Sequence, residues 1–335
     1  YYKDQPETLR ETVGDNPYEL KNIIDHWVLN TNPDLQIIPT DSIVVTVDKD
    51  AVRRSGMLIA GDSIPDVMHI SLKGKRAVYK SEMMMYEMLA QCNWERPLYV
   101  AVTVGKDNYG SLGNNFVQEG LAYRITPFNT KQTGKTLDTE KMFDNMMHRF
   151  KFGGLENPNV YLDETVMRMS YTHRRMFSML ASRLMDEGKT DSARQVVTYV
   201  EQVIPPTTVP HCYASGSMDL ARVWEKLGEK HMVDSIARPI AQTASEYMDW
   251  YLSLPQHMIK TYEDECIYNL YQLHHAADLL QKVGSDSATE YIIRLNQYND
   301  TLQKYLYGAA ADLSIAPNPS PAVVPTEEEG SEKAE

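Results

Sequence analysis

Residues Asn93–Phe128, NWERPLYVAVTVGKDNYGSLGNNFVQEGLAYRITPF, decide what kind of fold this chain can adopt. From Leu98 to Val104 the residues alternate, with Leu98, Val100, Val102 and Val104 on one side and Tyr99, Ala101 and Thr103 on the other. That two-residue period and the Val/Tyr/Thr content are those of a half-buried β-strand. Pro97 stands just before it, where a missing N–H does least harm. Leu121 to Pro127 repeats the alternation, with Leu121, Tyr123 and Ile125 on one face. Gly105, Gly110, Gly113 and the pair Asn114-Asn115 fill the space between, a connection rich in residues that tolerate positive φ. Two strands joined by a glycine-rich loop make a scaffold but not an active site.

Working toward the N-terminus, Ser81 is expected to cap a helix whose Met84, Met85, Met88, Leu89 and Cys92 face inward, with Met83 at core spacing beside them. Val67–Leu72 and Ile43–Val47 read as strands, and Gly74 as a turn flanked by Lys73, Lys75 and Arg76. Residues 67–104 fit a βαβ crossover or a hairpin through Gly74 in which Ala77–Lys80 pairs back, and the pattern does not separate the two. Asn16-Pro17 is expected to open an earlier helix with Leu20, Ile23, Ile24, Trp27 and Val28 as its apolar stripe.

Beyond Phe128 the texture changes. Residues 129–140 are polar and read as a linker, after which nearly everything has helical period. The words LMDEGKTDSARQVV, WEKLGEKHMVDSIA and LLQKVGSDSATEYII each read as helix, glycine turn, helix. They resemble degenerate tetratricopeptide hairpins, and about three such units are what an array needs to bury a continuous core. The expected organisation is a polar tether (1–15), an α/β or α+β domain with a small mixed sheet (16–130), an all-α tetratricopeptide-like domain (131–312) and a disordered acidic Pro/Glu tail (313–335).

Bulk properties exclude several functions. A net charge of −13 over 335 residues leaves no basic surface to release counterions from nucleic acid. No apolar run approaches the length of a membrane span. The chain opens on Tyr1-Tyr2-Lys3 without Met, so it is expected to be a soluble piece of something longer. Cys92, Cys212 and Cys266 form no CxxC and no disulfide framework, and Cys92 and Cys266 fall on helical apolar patterns as buried thiols.

Candidate chemistry is thin. Gly134-Lys135-Thr136 has Asn129 where a phosphate loop needs its first glycine, so no backbone cradle forms. The nine histidines give no HExxH and no pair four apart; His274 and His275 are adjacent, and His211-Cys212 lacks further ligands nearby. No serine sits in a GxSxG elbow, and Glu263-Asp264-Glu265 reads as a solvated helix face. No metal and no cofactor is expected. One set offers the chemistry of a sugar site: Asn93, Trp94, Arg96, Tyr99, Glu119 and Tyr123, with flat rings for stacking and polar groups for hydroxyls. The competing and favoured reading makes Trp94 and Tyr123 core aromatics, with Arg96 and Glu119 paired at a strand end. The concave face of the helical array, bearing Tyr213, Tyr247, Tyr251, Tyr262, Tyr268 and Tyr271, is the other candidate, for an extended peptide.

The runs WERPLYVAVTV, NYGSLG and QEGLAYRITP, continued by NPNVYLDETVMRM at 157–169, resemble the soluble C-terminal region of a family of large Bacteroidetes membrane proteins. The membrane half of that family resembles protein O-mannosyltransferases, GT-C-type enzymes using a lipid-linked sugar donor. The resemblance implies a periplasmic domain at the inner membrane, joined to the bilayer only through a missing N-terminal region and without catalytic residues of its own. Its implied partner is an acceptor protein to be recognised or positioned. The alternatives are a scaffold for a cell-envelope complex and, more weakly, a carbohydrate-binding module for a glycan. An independent hydrolase is the weakest reading.

Overall fold

The computed structural model describes residue 4 and residues 6–57 and 63–307. The acidic tail expected at 313–335 lies outside the described residues. The chain divides into two compact units, Tyr1–Pro239 and Ile240–Glu335.

In the first unit, α1 (Glu7–Val13) buries Val13. α2 (Leu20–Ile23) starts later than Asn16-Pro17 suggested, because the Glu19 carboxylate accepts the N–H groups of Lys21 and Asn22 and so acts as the cap. The helix continues as a π turn over Ile24–Val28 and buries Leu20, Ile23, Ile24 and Trp27. β1 (Ser42–Thr46) leads to α3 (Lys49–Arg54), capped by Asp48, and β2 (Val67–Ser71) returns antiparallel to β1. Ile43 opposes Ile70 and Val45 opposes Met68, and all four are buried on one face. Neither arrangement considered for residues 67–104 occurs. β2 finds its partner in β1, and the chain after Gly74 (φ 84) runs into α4 (Lys80–Cys92) without a returning strand.

The inward face of α4 is also corrected. Tyr79 precedes the helix and donates its N–H to the Glu82 carboxylate at 3.3 Å, displacing Ser81 as the expected cap. Glu82, Tyr86 and Leu89 are buried, whereas Met84 and Met88 are 58% and 50% exposed. The apolar pattern misleads here because Glu82, paired with Lys75, occupies the core-facing position. A rotation of about 100° per residue then carries Met84 and Met88 to the far side.

The helix ends in two left-handed residues, Asn93 (φ 44) and Trp94 (φ 63), uncommon for side chains other than glycine. A second sheet follows: β3 (Tyr99–Ala101), β4 (Phe116–Gln118) and β5 (Ala122–Ile125), antiparallel in the order β3-β5-β4. β3 and β5 are shorter than the alternation suggested. β4 lies at the end of what read as loop, and it escapes a two-residue period because all three of its residues are buried. The loop between β3 and β4 is held close: a Cβ at Gly110 (φ 48) would meet the Lys75 and Glu82 side chains.

The polar stretch 129–140 is packed rather than free. α5 (Thr130–Thr133) is capped by Asn129, Leu137 bridges to Gln118, and α6 (Thr139–Asp144) is capped by Asp138, with Thr130 and Thr139 buried. α7 (Glu164–Asp186) and α8 (Thr190–Val203) turn on Gly188 (φ 73), and Ala193, Val196, Val197 and Val200 form the buried stripe of α8. α9 (Ser217–Lys226) and α10 (Lys230–Leu252) turn on Gly228, and α10 contains Pro239, the last residue of the first unit.

The second unit holds the rest of α10, then α11 (Gln256–Ile259), α12 (Glu263–Val283) and α13 (Ala288–Tyr307), with Gly284 (φ 73) between the last two. Cys266, Leu273, Ala276, Ala277 and Leu280 form the buried side of α12. Tyr298 of α13 donates to Asp249 of α10 at 2.6 Å. The architecture is thus a small N-terminal mixed domain with two antiparallel sheets, followed by a largely helical region. Among the described residues no helix is long and apolar enough to cross a membrane.

Candidate binding sites

The six residues offered by the sequence do not converge. Trp94 turns from the left-handed corner into the core, 2% exposed, and its Nε1 donates to the Thr46 carbonyl at 2.8 Å. Its ring faces are therefore packed and present no platform. Asn93 and Arg96 are exposed and share none of the bonds made by the others. Tyr123 stacks on Phe116 at 5.7 Å, and Phe116 lies 4.7 Å from Tyr109.

Tyr99 and Glu119 do meet: the half-exposed Tyr99 hydroxyl donates to Glu119 Oε2 at 2.8 Å. Burial, then the adjoining Glu119 carboxylate, push the Tyr99 phenol upward. The expected Arg96–Glu119 pair is not made. Glu119 Oε1 faces Lys141 at 3.1 Å and Arg124 at 3.5 Å instead, because Arg124 stands opposite Tyr99 in the β3–β5 register. Arg124 Nη2 donates to the Ser55 carbonyl at 2.8 Å, and Lys141 to the Gly56 carbonyl. Both oxygens of Glu119 are thus engaged. The cluster ties β3, β5, α6 and the 55–56 turn together, and its chemistry is that of a buried polar lock.

A second polar cluster was not anticipated. Arg174, in the middle of α7 and fully buried, donates to the carbonyls of Ile204 (2.8 Å), Val209 (2.5 Å) and Pro210 (3.0 Å). It closes the C-terminal end of α8 at the Ile204 carbonyl, where helical partners are lacking, and ties to it the Val209-Pro210 stretch of the loop that follows. Burial lowers the guanidinium's pKa, and nearby Glu201, Cys212 and Tyr171 oppose that. Close by, His211 lies 3.5 Å from Glu201 and 3.0 Å from the Ser217 hydroxyl, itself 2.7 Å from Ser215. A carboxylate, a histidine and a serine in sequence are the parts of a hydrolytic relay. Ser217 is fully buried at the start of α9 and shares its hydroxyl with Ser215, so no substrate reaches it. The signal that could have exposed this cluster is one arginine inside the stripe Ser170, Arg174, Phe177, Ala181.

In the second unit an aromatic surface is open. Tyr247 and Trp250 on α10 are each about half exposed. Trp250 lies 4.8 Å from Tyr251 and 6.3 Å from Tyr262, and Tyr251 lies 5.5 Å from Tyr262. Ile267, Tyr268 and Tyr271 add exposed apolar surface along α12. Of the tyrosines expected on a concave face, Tyr247, Tyr268 and Tyr271 are exposed, Tyr251 is buried, and Tyr213 belongs to the first unit. Sequence reading missed Trp250.

Among the described residues no group of three or more His, Cys, Asp or Glu side chains is arranged to hold a metal ion. The fold and these sites describe a mixed α+β module carrying a helical region with an open aromatic face. A family model described as TMEM260-associated domain 2 matches residues 2–144, which span both sheets and the helices through α6. That match suggests a glycosyltransferase-related membrane-protein context for the N-terminal part of the chain. No curated protein and no solved structure matches the chain.

Proposed function

We propose that this chain is a non-catalytic, extracytoplasmic region of a protein O-mannosyltransferase-like membrane protein, placed on the periplasmic face of the inner membrane. Its role in this reading is to recognise or position the acceptor protein. The family match supports the context. The observation that carries the role is the aromatic surface of Tyr247 and Trp250 backed by Tyr251 and Tyr262. Flat, amphipathic rings at low entropic cost are what polypeptide-binding surfaces use. The helical hairpins around Gly188, Gly228 and Gly284 fit a tetratricopeptide-like array, a scaffold suited to extended peptides.

A photo-crosslinking residue at position 250 in the full-length parent tests this. Adducts with envelope proteins that also carry the O-linked sugar support acceptor positioning. Adducts confined to unglycosylated envelope subunits would favour the assembly scaffold instead. A change in Trp250 fluorescence on adding free oligosaccharide would favour the carbohydrate-binding module.

A further inference from the structure

The β1–β2 ladder runs one bond past its last rung. Its last rung pairs Ser42 with Ser71, and beyond it Leu72 donates its N–H to the Asp41 carbonyl at 2.7 Å. Past that bond the two chain segments, residues 36–40 and 75–78, line one cleft of about 870 Å3. Its apolar lining includes Ile37, Ile38, Leu72, Val78 and Met83. Among the described residues, the N–H groups and the carbonyls of Ile38, Thr40, Ala77 and Val78 make no hydrogen bond. Main-chain donors and acceptors beside an apolar slot are what an added strand uses.

The charge at the cleft selects further. Lys75 lines it, engaged by Glu82, and Arg76 lines it with no ion-pair partner among the described residues; Asp41 is the acidic group on the lining. In a chain of net charge −13 an unpaired arginine at an apolar slot is a local exception, and it complements a carboxylate. An alkyl chain or lipid tail would cover the same apolar residues while burying the backbone groups unsatisfied, which disfavours it.

We propose that this cleft takes an extended polypeptide segment as an added strand, its β-branched side chains against Ile38 and Val78 and a carboxylate at Arg76. The inference goes beyond the reading of the aromatic surface and stands without it, since every residue it uses lies in the N-terminal domain.

The test is fluorescence anisotropy with the whole chain and a labelled probe peptide, Val-Thr-Val-Thr-Val-Glu-Glu. Two control peptides accompany it, one N-methylated at alternate residues and one ending in Lys-Lys. Strand addition predicts saturable binding of the acidic probe, weakened about tenfold or more by N-methylation. Arg76→Glu, at an exposed position, is expected to weaken the acidic probe about tenfold and to favour the lysine peptide. Trp250→Ala is expected to leave all three affinities unchanged, separating this site from the aromatic surface. Equal affinity for the N-methylated peptide, displacement by decanoate at equal concentration, or a self-associated chain that the peptide leaves intact would each overturn the proposal.

Discussion

Replacing Arg174 by methionine removes three hydrogen bonds from a charged donor, at 2.5, 2.8 and 3.0 Å, and leaves without it the Ile204 carbonyl at the end of α8 and the Val209 and Pro210 carbonyls of the loop that follows. Bonds to charged groups contribute about 1.5–3 kcal/mol each. The full sum is not reached, because the mutation also relieves the cost of holding a guanidinium in a site with no solvent contact. Methionine retains most of the apolar stem, so the packing loss is small. The expected net loss is about 4 kcal/mol, within the range for breaking one side of a buried charged network. Arg174→Lys keeps the charge but not the planar fork, and about half of that loss is expected. Urea unfolding checks both variants, followed by far-UV circular dichroism and by the fluorescence of Trp224, which is buried in α9. A methionine variant within about 1 kcal/mol of the parent, with an unchanged urea slope, would refute the assignment of Arg174 as the closure of α8.

Glu119→Gln strands Arg124, only 4% exposed, and is expected to cost about 3 kcal/mol. A double-mutant cycle with Arg124→Gln should show coupling of at least about 1 kcal/mol in urea unfolding. Gly216→Ala is expected to cost about 2 kcal/mol or more, because its Cβ would sit 2.7 Å from Ser178 Oγ and 3.0 Å from the Arg175 Cα at φ +74. Gly284→Ala, at φ +73 with nothing within 4 Å, should cost only about 1 kcal/mol, measured the same way. Burial, then Glu265 and Glu263, push the Cys266 thiol up to about 11. A raised value keeps it protonated, so the folded chain at about pH 8 should leave Cys266 unalkylated by iodoacetamide while the denatured chain does not. Mass spectrometry of tryptic peptides reads this, and native labelling of Cys266 would contradict it.

What could be read from the sequence was whatever has a simple period. β1 and β2 alternate because one face is buried, and the three glycine-turned helix pairs announce themselves through Gly188, Gly228 and Gly284. β4 was invisible because Phe116, Val117 and Gln118 are buried on both sides and imitate nothing periodic. The α4 face was misjudged because a paired glutamate, Glu82, displaces methionines that look more at home in a core. Tyr99 and Glu119 share a chemistry legible in the sequence and do bond, but the cations that complete their cluster, Arg124 and Lys141, come from a strand register and a helix start that no spacing rule links. Arg174 stays hidden in the sequence because an arginine within an apolar stripe reads as a surface residue until its three carbonyl partners, 30 to 36 positions away, are known.

The two sheets of the N-terminal domain are separate hydrogen-bonded ladders. Main-chain cooperativity alone therefore does not oblige them to open together. The indole of Trp94, held at the turn before β3 and bonded to the last residue of β1, is a direct side-chain stitch between the two. A phenylalanine there would keep most of the bulk and cut the stitch, leaving the shared apolar core to couple the two, so that amides of the two sheets should exchange less in step with one another. The left-handed pair Asn93-Trp94 thus aims the ring that ties the opening of one ladder to that of the other.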